Sequence, residues 1–192
     1  DNYGVPIWWL RGNTIPVDAK FVAKDRIGWI NFGPGEEHSL DGTLTHTFFP
    51  AGNIGGGVDP HELLHLPNGN YVYIIAVVRG PVDLSPYGGP KNGSVLDNVV
   101  EEVAPDGTLV WSWSSFEHIS PAETTPPWSG VLTGAGADAY HMNSVERTET
   151  GYVMSLRHLN AVIGIDRATG KRLWKLGGTP RPESLQYVGD AY

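Results

Sequence analysis

The stretch Asp138–Gly178, DAYHMNSVERTETGYVMSLRHLNAVIGIDRATGKRLWKLGG, reads as one antiparallel unit of short strands. It opens on a strand starting with a histidine and crosses a polar turn into the β-rich run Gly151-Tyr152-Val153-Met154. It turns again at Thr169-Gly170 and closes on a strand that reaches Trp174. His141, Asn143, Arg157 and His158 are set along its inner strands.

An earlier part of the chain repeats this pattern. HELLHLPNGNYVYIIAVV begins at His61, and VVEEVAPDGTLVWSW follows it after a loop. Asn70-Tyr71-Val72 answers Gly151-Tyr152-Val153, an offset of 151 − 70 = 81. Gly107-Thr108-Leu109-Val110-Trp111 answers Gly170-Lys171-Arg172-Leu173-Trp174, an offset of 170 − 107 = 63, and the two offsets differ only by loop length. Repetition of a four-strand unit is the mark of a propeller or a similar radial array.

The expectation is therefore an all-β chain forming a single partial β-propeller domain over 1–192, with three units at roughly 6–52, 58–114 and 137–178. In the first unit IWWL is read as a strand, Asp25-Arg26 as a turn and Asp41-Gly42 as a hairpin. The second unit carries the insertion RGPVDLSPYGGPKNGSVLD, and HISPAETTPPWSGVLTGAGAD precedes the third. Loops of that length are usually functional or disordered. Tyr87 and Trp128 within them fit loops that cover a site, although a surface loop tucking in one aromatic for stability reads equally well. No segment keeps apolar residues at helical spacing for long.

Composition narrows the function. Of 192 residues, 40% are apolar and 18% charged, as in ordinary globular proteins, and 25 Gly with 15 Pro suit many tight turns. A net charge of −8 without a basic run speaks against nucleic acid, whose binding depends on Lys and Arg neutralising phosphates. No apolar run approaches the ~20 residues that cross a bilayer, so no membrane partner is expected. The start DNYG has neither a basic nor an apolar leader segment, which fits a signal peptide that was removed or never carried. With no cysteine there is no disulfide and no Cys-ligated zinc.

Val58-Asp59-Pro60-His61-Glu62-Leu63-Leu64, Leu66-Pro67-Asn68-Gly69-Asn70, His141-Met142-Asn143-Ser144, Arg157-His158-Leu159-Asn160-Ala161 and the run from Ile165 to Gly178 occur in an order that resembles the arylsulfotransferase family, the type that uses no nucleotide donor. The resemblance covers about 58–178 and is weak before that. It implies a six-bladed propeller whose central funnel holds the active site, where a histidine takes the sulfuryl group from an aryl sulfate and passes it to a phenol. By the same resemblance His61 falls on the histidine that opens one blade, His141 and Asn143 on the H-x-N pair of the next, and Arg157 on the arginine of the following strand. The sulfated histidine lies in a later blade, which would begin about where Gly189-Asp190-Ala191-Tyr192 stand. The expectation is half a ring, completed by a second chain that is either a processed fragment or a separate subunit, or by a second copy. A secreted or periplasmic location follows from the resemblance as well.

The residues support that chemistry independently. Arginine offers a planar fork of N–H groups to an oxyanion. Histidine and asparagine add directional hydrogen bonds, and histidine can also act as nucleophile or general acid and base. The assignment expected is catalytic roles for His61, His141 and Arg157, with Asn143, His158 and His65 binding a small aromatic substrate. Arg157 would hold the anion, His141 and Asn143 would orient it, and His61 would serve the leaving or attacking oxygen. Because a strand alternates faces, only one of Arg157 and His158 can point to the site, and the resemblance favours Arg157. His65 reads more readily as a packed histidine, and His38, His46 and His118 as loop or surface residues. His61, His65 and His141 with Asp59 or Glu62 are ligand types, but their spacing matches no metal motif, so no catalytic metal is assigned. Structural Ca2+ near Asp83, Asp97 or Asp106 stays open. Two other function classes remain: a hydrolase, lyase or isomerase of small aromatic molecules on the same scaffold, and a non-catalytic propeller serving as an interaction module.

Overall fold

β-rich runs broken by glycine, asparagine and aspartate turns fold into three antiparallel meanders, each strand paired with the next. The computed structural model describes residues 3, 8–11, 15–31, 34–186 and 188. Blade one is β1 (Val17–Ala23), β2 (Arg26–Ile30), β3 (Gly35–Ser39) and β4 (Leu44–Phe48). Blade two is β5 (Gly57–His65), β6 (Tyr71–Val82), β7 (Gly93–Val103) and β8 (Leu109–Ser114). A short strand β9 (Gly136–Ala137) runs parallel to β7, and blade three follows as β10 (Met142–Arg147), β11 (Gly151–Leu156), β12 (Ala161–Asp166) and β13 (Arg172–Gly177). The chain is all-β and forms part of a propeller. Its one described α-helix, α1, spans Ser115–His118, and the other helical turns are 3-10.

Several local expectations need correction. Trp8–Leu10 are not in a strand, and Ile7 lies outside the described residues, as do 189–192. The first turn is Lys24-Asp25, one residue earlier than read. Much of the insertion at 79–97 is not loop at all, because β6 and β7 continue to Val82 and from Gly93 as a longer hairpin around the 3-10 turn Ser85–Tyr87. His38 and His46 are packed rather than loose, while His118 is exposed, as the sequence suggests. His38 stacks on Trp29, His46 on Tyr71 and His118 on Trp113.

The core lies between blades. Along β6, Tyr71, Tyr73 and Ile75 pack with Ile30, Phe48 and Leu63 toward blade one. Val72 and Ile74, alternating with them, pack with Tyr152, Met154 and Ile163 toward blade three. A strand covered on both faces reads as a continuous apolar run, which is why YVYIIAV shows no alternation.

Polar groups bolt the same interfaces together, and the bolts repeat. Tyr71 donates its hydroxyl to Glu37 of blade one at 2.8 Å, and Tyr152 donates to Glu102 of blade two at 2.7 Å. Arg26 and Thr45 also donate to Glu37, and Asn70 and Arg167 to Glu102. On the inner strands Asp18 accepts from Leu63 N–H at 2.9 Å, and Glu62 accepts from Val145 N–H at 3.2 Å. A third buried carboxylate, Glu123, receives the fully buried Lys175 at 2.7 Å, with Arg172 and Arg181 alongside.

These carboxyls make stability depend on acid. Burial alone would raise the pKa of Glu37, Glu102 and Glu123, but their hydrogen-bond donors and neighbouring cations outweigh it and hold all three below the ordinary 4.5. The unfolded chain therefore takes up protons first, and the stabilisation present above pH 4.5 is lost as pH falls through the lower folded-state values. Burial also holds His46 below 6.5, with Glu37 pulling part of the way back, so a smaller loss begins as pH drops past 6.5. Thermal unfolding across pH 7 to 3 is expected to show both stages. Glu123→Gln, which leaves Lys175 buried without a counter-charge, is expected to cost on the order of 3–5 kcal/mol in chemical denaturation.

Candidate functional site

The inner strands of all three blades break register near their starts. The shift falls between Val17 and Lys20 in β1, between Val58 and Leu63 in β5, and between Met142 and Ser144 in β10. Such bulges re-aim side chains out of the ladder. In β5 the displaced segment carries Asp59, His61 and Glu62, and in β10 it carries Asn143. Blade one has Asp18, at φ 53°, in place of a histidine, consistent with the absence of a third histidine in the sequence repeat.

Asp138 and His141 are placed from the neighbouring blade. Ser94 and Val95, in the extended part of β7, pair with Gly136 and Ala137 of β9, which delivers the chain to Asp138. Thr124 then donates to Ala139 O, the Tyr140 hydroxyl to Ile119 O, and Met142 N–H to Asn98 Oδ1. His141 sits in the left-handed region at φ 48°, a costly conformation for this residue type that persists where surrounding contacts fix it.

The outcome is a histidine cluster in which each imidazole has its Nδ1 occupied. His61 Nδ1 lies 2.7 Å from Asp59 Oδ1, and His141 Nδ1 lies 2.5 Å from Asp138 Oδ2. His158 Nδ1 bonds the Asp138 carbonyl. A carboxylate or carbonyl oxygen only accepts, so each Nδ1 carries a proton, and it is Nε2 that is left to gain or lose one. The His61 and His141 rings are 5.2 Å apart and the His141 and His158 rings 4.6 Å. This is two aspartate-histidine pairs side by side with a third, buried histidine behind.

An open cleft of about 400 Å³ lies on blade three, lined by Asn143, Arg157, Asn160 and Leu176 among others and by none of the three histidines. Asn143 Oδ1 is buried with no hydrogen-bond partner among the described residues. Arg157 is exposed, and its guanidinium lies 4.4 Å over the Trp128 ring, which itself stacks on His158 at 4.7 Å. A latch fixes this corner. Thr125 N–H donates to His158 O, Asn160 Nδ2 to Thr125 Oγ1 at 2.6 Å, and Trp128 Nε1 to Asn160 Oδ1 at 3.3 Å.

The structure thus gathers His61, His141 and His158 and sets Asn143 and Arg157 beside them. The expected choice between Arg157 and His158 does not arise, because β11 ends at Leu156 and both residues lie on the 3-10 turn Arg157–Leu159. His65 is elsewhere: its Nδ1 donates to Val22 O at 2.7 Å and its ring stacks on Tyr71, between blades one and two. Asp97, considered for Ca2+, is fully buried and taken by Arg79, Ser114, Ser115 and Phe116 N–H. Asp138 and the latch residue Asn160 were not singled out from sequence, and Asp59 only as a ligand type. Their signal was the short spacing of Asp59-x-His61 and Asp138-x-x-His141.

Comparison with known families supplies the context. The family model described as Arylsulfotransferase (ASST) matches residues 21–186, nearly the whole chain. The chain belongs to the arylsulfotransferase family. No curated protein matches the chain. A crystal structure of a protein of unknown function from Bacteroides caccae is similar in fold, with a TM-score of 0.54 at 12% identity, over 95% of this chain and 53% of that one. The arylsulfotransferase-family chain therefore spans about half the length of that solved structure.

The latch can be tested without any substrate. Asn160→Ala removes its amide bonds and places alanine at φ 49°, and is expected to cost about 1–2 kcal/mol and to speed amide exchange selectively over 157–160.

Proposed function

We propose that this chain contributes half of an active site that transfers a sulfuryl group between small aromatic molecules. The observation that carries the reading is the pair of aspartate-held histidines, His61 and His141, beside a cleft offering Arg157 and Asn143. Arg157 holds the sulfuryl oxygens through its fork of N–H groups, and the Asn143 amide N–H donates a further hydrogen bond. Trp128 stacks under Arg157 and gives an aryl ring an apolar neighbour.

In the first half of the reaction the S–O bond of the aryl sulfate breaks as an S–N bond forms to a histidine Nε2, and His61 or His141, as imidazolium, protonates the departing phenolate. In the second half the same imidazole removes the proton of an acceptor phenol as its oxygen takes the sulfuryl group, which frees the nucleophilic histidine. Asp59 and Asp138 keep the imidazoles in the tautomer that this cycle needs.

The nucleophile comes from blades outside this chain, carried by a second chain that closes the ring. In support, Leu173 and Leu176 are more than half exposed on β13 at one end, and Phe21 of β1 is exposed at the other. Such faces call for cover. Native mass spectrometry of protein from its source is expected to show a complex larger than this chain, with a component that carries the remaining blades.

With that assembly, 4-nitrophenyl sulfate and a phenol acceptor are expected to release 4-nitrophenol. Arg157→Ala is expected to lower kcat/KM by about 10²–10³. Turnover of aryl esters with none of aryl sulfates would instead assign the site to a hydrolase.

A further inference from the structure

We propose that Asp138, His141 and His158 form a binding site for a zinc-class divalent cation, and that filling it switches the histidine cluster off. One ligand atom from each of these residues lies within 4.8 Å of the other two. Around a tetrahedral zinc with bonds of about 2.0–2.2 Å, ligand atoms stand roughly 3.4 Å apart. Asp138 Oδ2 is 2.5 Å from His141 Nδ1 and 3.9 Å from His158 Nδ1, so the two separations bracket that edge length. Small rotations of the rings would equalise them.

A second observation points to a ligand. Asp138 Oδ1 is buried and has no hydrogen-bond partner among the described residues, although a carboxylate oxygen shut away from water ordinarily finds a donor. A cation between the two rings that the carboxylate binds through both oxygens would satisfy Oδ1 along with Oδ2. Two imidazoles with one carboxylate suit zinc and its neighbours rather than magnesium or calcium, which prefer oxygen. A water completes the fourth position.

Proton balance sets the consequence. The cation takes the place of the protons now held on Nδ1 of His141 and His158, and each ring stays neutral by carrying its proton on Nε2. The His141 hydrogen bond to Asp138 and the His158 bond to the Asp138 carbonyl both give way. His141 then has no Nε2 lone pair, so it cannot accept a proton from a phenol. This last step rests on the sulfuryl-transfer reading, whereas the binding does not.

The test begins with the whole protein, stripped by a chelator and titrated with ZnCl2 in a calorimeter without substrate. One equivalent is expected to bind, and Asp138→Asn and His158→Gln are each expected to weaken it by about tenfold or more. His118→Gln, at an exposed histidine outside the cluster, serves as the control for surface histidines. Because His158 is buried and its variant can misfold, a measurement on the unaltered protein stands beside it: zinc should shield His141 from diethylpyrocarbonate, read by peptide mass spectrometry, and leave the exposed His118 reactive.

No binding at millimolar zinc, equal affinity in the Asp138 and His158 variants, or no shielding of His141 would overturn the site. Zinc that binds and shields but leaves aryl sulfate turnover unchanged would overturn the switch and, with it, the role of His141 in transfer.

Discussion

Buried carboxylates placed between blades are the constraint on which the rest of the structure depends. A charged group removed from water must be met by donors, and here the donors come from the neighbouring blade. Tyr71 reaches back to Glu37 and Tyr152 reaches back to Glu102, while Asp18 and Glu62 take backbone N–H groups from the inner strand that follows. Apolar packing alone would allow two sheets to slide, but a tyrosine hydroxyl that must meet one carboxylate fixes both angle and height. That fixed angle brings the start of β5 and the start of β10 together, and with them His61 and His141.

The interface beyond blade three is built differently. Gly164 lies opposite Trp174 just as Glu102 lies opposite Trp111, so the buried carboxylate of the earlier interface has been replaced by glycine. The indole of Trp174 fills the space, and a Cβ at Gly164 would stand only 2.3 Å from it. In the earlier interface Trp111 stacks on Tyr152 of the following blade. Trp174 thus offers an aromatic plate, flanked by the exposed Leu173 and Leu176, where the preceding blades offered charge.

Much of this was legible in the sequence, and the failures have physical causes. The repeat around Asn70-Tyr71-Val72 and Gly151-Tyr152-Val153 gave blades two and three, because turn residues and apolar runs are local signals. Blade one was placed by its hairpin at Asp41-Gly42, but IWWL was misread as a strand, since apolar content alone does not make a ladder partner. His61 and His141 could be named because they open matching strands of the repeat, and Asn143 through the family resemblance. Arg157 and His158 were set against each other by strand alternation, a rule that lapses where the chain enters a 3-10 turn. Strand alternation alone would put His65 on the face of His61, but the bulge between Val58 and Leu63 breaks that periodicity. The aspartates that hold the histidines needed the fold, because acidic residues near a histidine are common in any surface sequence.

The pairing of β9 with β7 makes the position of Asp138 a property of a different blade. Because side chains alternate along a strand, a slip of one residue in that pairing would turn Asp138 away from His141. The hairpin extension of blade two and the approach to blade three are therefore bound to change together in descent. A relative that shortened the hairpin would lose the rail that carries the aspartate bound to His141, however well its histidines were kept.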